Sequence, residues 1–110
     1  MASKKELAKK AYEIMKGNKF GKISDTQLRN FVEAAKNADN FEEFRIFLKY
    51  QESRDKGVED FFSKSDVLKY LEEEFEKESF EKSRELIAYF FGNLARCKKA
   101  GGKNDSSKQN

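Results

Sequence analysis

Arg29 and Lys36 stand seven residues apart, and Arg45, Lys49 and Lys56 follow at offsets of four and eleven. On helices, each set shares one side. Arg54 points elsewhere, close to Phe47 and Tyr50, and Lys22 precedes the whole run. Cations on consecutive helices beside aromatic rings can hold a phosphate backbone without reading bases. The same side chains can equally be spent on ion pairs with Glu33, Glu42 and Glu52. Spacing leaves both readings open.

Other chemistry finds less support. Histidine is absent, so the commonest general base and neutral metal ligand are missing. The one cysteine, Cys97, has no partner for a disulfide or a Cys/His zinc site. Acid pairs such as Asp55 with Glu59 read as solvated helix carboxylates. "GNKFGK" lacks the spacing of a phosphate loop, and the acidic clusters lack the ligand pattern of a calcium loop. The expectation is a protein with no catalytic residue, no metal and no cofactor.

The elements that position the cations must be helices. Proline is absent and Gly totals 6, so long helices meet few interruptions. The 110 residues suffice for one domain with a modest core, and 11 Phe and 4 Tyr supply much of its area. Lys4 to Lys16 repeats Leu7, Ala11 and Ile14 at helical spacing. Ser24 with Gln27 forms a capping box, and Ile23 with Leu28 a hydrophobic staple, for a helix ending near Asn37. Asn40 caps the next, whose Ile46 and Tyr50 make a second apolar patch away from Phe41, Phe44 and Leu48. A short turn of helix is expected at Val58 to Phe62, then a longer helix capped by Ser63 and another capped by Ser79. The fold class is thus an all-α bundle of about five helices over residues 1–100, with a disordered, flexible tail over 101–110.

The net charge of +3 is unevenly spread. Residues 1–22 carry +5, 23–57 carry −1, 58–85 carry −5 and 86–110 carry +4. Two differently charged sides suit an assembly, or nucleic acid on one side. No run approaches the roughly 18 apolar residues of a membrane span. A cytoplasmic location is expected.

The order of motifs resembles the small helical subunit of the type III-A (Csm-type) CRISPR effector complex. "KISDTQLRNFVEAAK", "FLKYQESRDKGVEDF" and "LIAYFFGNLARCKKAGGK" carry the resemblance, which spans about Leu7 to Lys103. Ile23 to Arg29, Lys49 to Asp55 and Tyr89 to Gly102 take the places of the family's three motifs. "LARCKK" stands where the family often has Tyr-His. The resemblance implies a non-catalytic, antiviral-defence role, with copies of the chain stacked beside other subunits of the complex. The partners it implies are guide RNA and target RNA, contacted through their backbones independently of sequence. The residues expected to do so are Arg29, Lys36, Lys49, Arg54 and Lys56, with Lys22 and Arg45. Arg29 could instead brace helices through a carboxylate such as Asp55. The alternative function is a helical protein–protein adaptor using Ile46 and Tyr50, without RNA contact.

Overall fold

In a computed structural model, the described residues fold into six helices: α1 (Lys4–Lys16), α2 (Asp25–Asn37), α3 (Phe41–Arg54), α4 (Lys56–Ser65), α5 (Val67–Phe75) and α6 (Phe80–Gln109). The structure describes the backbone of residues 1–109 and the side chains of residues 1–101. The expected flexible tail at 101–110 lies outside the residues whose side chains are described, apart from Gly101, which continues α6 beside Met15 of α1. No strand occurs among the described residues, and none of their helices is long and apolar enough to cross a membrane.

α6 is the central element, packing most extensively on α2 and α1. Its Ile87, Phe90, Phe91 and Leu94 are fully buried. Phe91 meets Phe31 of α2 edge-on at 5.4 Å and Phe44 of α3 at 6.1 Å. Phe61 of α4 and Phe75 of α5 are buried as completely. Each such ring contributes about 1.5–3 kcal/mol by leaving water.

The helix starts follow from their caps. Ser24 Oγ accepts from the Gln27 amide at 3.1 Å, and Gln27 Oε1 accepts from the Ser24 amide at 3.0 Å. Ile23 and Leu28 are both buried, as their places flanking the cap predict. Asn40 Oδ1 accepts from the Glu43 amide at 2.8 Å. Ser3 and Glu6 form a further capping box at α1.

The α4–α5 region departs from the sequence expectation. Ser63 caps nothing; it lies exposed inside α4, which runs on from Asp55 as one helix. The break comes at Asp66, whose φ of 56° is left-handed, a conformation that Asp tolerates better than most residues. Ser65 Oγ supports the turn by donating to the Phe61 carbonyl at 2.6 Å and accepting from the Val67 amide at 3.3 Å. With the break there, Val58, Phe61, Phe62, Val67 and Leu71 can all turn inward.

Candidate nucleic-acid interface

The α1–α2 loop, the start of α2 and the α3–α4 junction meet at one corner of the bundle. Asp55 organises it. Its Oδ1 accepts from the Gly57 and Val58 amides at 2.8 and 3.3 Å, capping α4. Its Oδ2 accepts from the side-chain amide of Gln27. Gln27 therefore serves two helices, closing the α2 capping box with its oxygen and reaching Asp55 with its nitrogen.

Two glycines allow the close approach. A Cβ on Gly57 would stand 2.9 Å from the Lys22 carbonyl oxygen. Gly21 has a φ of +60°, and a Cβ there would collide with Asp60 Oδ2. Asp60 uses that oxygen to accept from the Lys22 amide at 3.2 Å, fastening the loop to α4.

Lys22, Arg54 and Lys56 are exposed around this corner, and none of them forms an ion pair among the described residues. Arg54 lies over the Tyr50 ring at 5.2 Å and donates to the Tyr50 hydroxyl at 2.9 Å, which fixes its guanidinium at the end of α3. Lys36 is also exposed and unpaired, farther along α2.

The remaining expected residues are placed differently. Arg29 pairs with Asp25 on its own helix at 3.2 Å and is 58% exposed; it does not reach Asp55, which Gln27 occupies. Lys49 pairs with Glu52 at 3.8 Å. Arg45 is only 24% exposed and joins α3 to α5, at 3.3 Å from Glu72 and 2.8 Å from Glu76, with Glu42 also in reach. Its close pairing with Glu76, aided by the charges of Glu42 and Glu72, raises its pKa further above the ordinary arginine value. Its guanidinium also lies over the Phe41 ring. Arg45 is spent on holding helices together.

The cations thus do not form one stripe. Arg29 and Lys36 lie two residues from Gln27 and Ala34, about 160° round α2 and so on its far side from α3. Between α2 and α3 runs a groove of about 350 Å³, lined by Gln27, Asn30, Glu33, Asn37, Phe47 and Gln51 over the buried Phe31.

Sequence reasoning passed over two features. Arg84 of α6 donates to the Ala38 carbonyl at 2.8 Å and ties the end of α2 to α6. The seven lysines of residues 1–22 form no ion pair among the described residues, and α1 packs on α6, with Lys4 over the Tyr89 ring and Met15 beside Gly101. The +5 charge of residues 1–22 was the available signal. Cys97 is half-buried, and burial pushes its thiol pKa up. No group of acidic or cysteine residues that could hold a metal ion occurs among the described residues.

No protein-family profile, curated protein or solved structure matches the chain.

Proposed function

We propose that the chain is a non-catalytic small subunit of a type III-A CRISPR ribonucleoprotein that holds guide and target RNA by their backbones. One observation carries the reading. The two motif segments Ile23–Arg29 and Lys49–Asp55, far apart in sequence, are joined through Gln27 and Asp55, with Lys22, Arg54 and Lys56 unpaired around the joint. Three cations on a corner fixed by caps and close backbone contact present charge without ordering flexible segments first. Phosphate contact from such a corner gives affinity without sequence information.

Arg29 is left out because it faces away from the joint on the far side of α2, and Lys49 takes part only by exchanging Glu52 for phosphate, a small cost at an exposed pair. Arg45 is left out, because releasing it would strip Glu72 and Glu76 of their cation. A second reading, a protein–protein adaptor without RNA contact, draws on Ile46 and Tyr50, which are 68% and 54% exposed. Purifying the tagged chain from its own cells separates the two. The RNA-binding reading expects the products of neighbouring reading frames together with short RNA. Recovery of proteins with no RNA would favour the adaptor.

A further inference from the structure

The groove between α2 and α3 is not a phosphate site. Its wall carries Glu33, and its continuation toward the end of α2 carries Glu43; neither carboxylate has a cation partner among the described residues. A phosphate would be repelled there. The rest of the lining has another character. Asn30 and Gln51 bring side-chain amides that make no hydrogen bond among the described residues. Asn37 donates to the Glu33 carbonyl at 2.9 Å, which leaves its oxygen free to accept. Phe47 offers a partly covered ring, held edge-on against Phe31 at 5.8 Å.

Carboxamides with both donor and acceptor, one carboxylate and one aromatic face match the edge and face of a nucleobase. Guanine fits best among the four. Its Watson–Crick edge has two adjacent N–H donors, which suit a carboxylate, beside a carbonyl oxygen, which suits an amide N–H. The volume of about 350 Å³ lies at the small end of ligand clefts, room for one base rather than a stacked run. Arg54, seven residues from Phe47 and so on the same side of α3, follows the groove residue Gln51 by one turn, with its guanidinium over the Tyr50 ring. A nucleotide whose phosphate meets Arg54 can turn its base into the groove.

We propose that the α2–α3 groove binds a single unpaired nucleobase, with guanine preferred through Glu33, and that it adds a base preference to an otherwise sequence-blind surface. This rests on the RNA-binding reading above, and the test keeps the two apart. Fluorescence anisotropy would measure the isolated protein's affinity for short uridine RNAs. Their central nucleotide would be guanosine, cytidine, adenosine, uridine or an abasic site. The guanosine RNA is expected to bind about tenfold more tightly than the abasic one, the scale of one bidentate base contact. Glu33→Gln should remove the preference for guanosine over the other three bases. Phe47→Leu, checked for helicity by circular dichroism, should bring all four bases close to the abasic value. Lys22→Ala, Arg54→Ala and Lys56→Ala together should weaken all five RNAs by a similar factor. Equal binding of all five RNAs by the wild type would overturn the groove proposal and leave backbone binding standing. No binding of any RNA would overturn both. A guanosine preference that survives Glu33→Gln would overturn the assignment of Glu33.

Discussion

The side-chain amide of Gln27 donates to Asp55 across 28 residues of sequence, and Asp55 with its other oxygen caps α4. One carboxylate thereby fixes the start of α2 against the α3–α4 junction. Asp55→Ala removes the cap and leaves the Gln27 nitrogen without its partner. It should cost about 1–2 kcal/mol in urea denaturation, as loss of an N-cap does. Asp55→Asn keeps an acceptor oxygen and should cost less. Equal costs for the two would mean that the carboxylate oxygens do not hold the corner.

The approach of Lys22 to Gly57 gives a second expectation. In Gly57→Ala, the new Cβ meets a backbone carbonyl oxygen at 2.9 Å, not the movable end of a side chain. The loop or α4 must shift, at about 1–3 kcal/mol. A thermal midpoint equal to that of the wild type would show that the loop does not sit this close.

Much of this corner was legible in the sequence, but only locally. Ser24 with Gln27, and Ile23 with Leu28, announce the start of α2 because a cap needs partners only three to five residues away. The second use of Gln27 was not legible, because its partner is set by how α2 meets α3. The same limit explains Arg45. Its pairing with Glu42 is a matter of spacing, whereas Glu72 and Glu76 reach it only once the fold has brought the end of α5 within reach of α3. Ser63 resembled a cap by residue type, but the chain turns at Asp66, where burial of Phe61, Phe62 and Val67 outweighs local preference.

Arg45 separates bracing from binding. Arg45→Met keeps an unbranched apolar side chain and removes the guanidinium that lies over Phe41 and faces Glu42, Glu72 and Glu76. Stability should fall by about 1 kcal/mol, since the pairs are partly exposed. RNA affinity and its salt dependence should stay at wild-type values. A shallower salt dependence in this variant would put Arg45 in the interface.

Glu6 gives a pH dependence. The hydrogen bond from the Ser3 backbone amide, with the Ser3 side chain close by, holds its carboxyl below the ordinary value of 4.5. A carboxyl depressed on folding stabilises the folded state fully above its unfolded pKa. That contribution is lost as pH falls through the lower folded value. The stability difference between wild type and Glu6→Gln should therefore be flat above about pH 6 and shrink below about pH 4.5. A difference that grows on acidification would contradict the capping box.

The central claim is that the corner formed by Lys22, Arg54 and Lys56 holds RNA by its phosphates. The most direct measurement is the slope of log affinity against log salt for a short RNA duplex. The slopes to compare are those of the wild type and of the Lys22→Ala, Arg54→Ala, Lys56→Ala triple variant. Each lost phosphate contact lowers the slope by about one, so the variant should bind more weakly with a slope shallower by about two to three. Lys69→Ala and Lys77→Ala together, in the acidic segment 58–85, should leave affinity and slope at wild-type values. An unchanged slope in the first variant, or equal changes in both, would contradict the account.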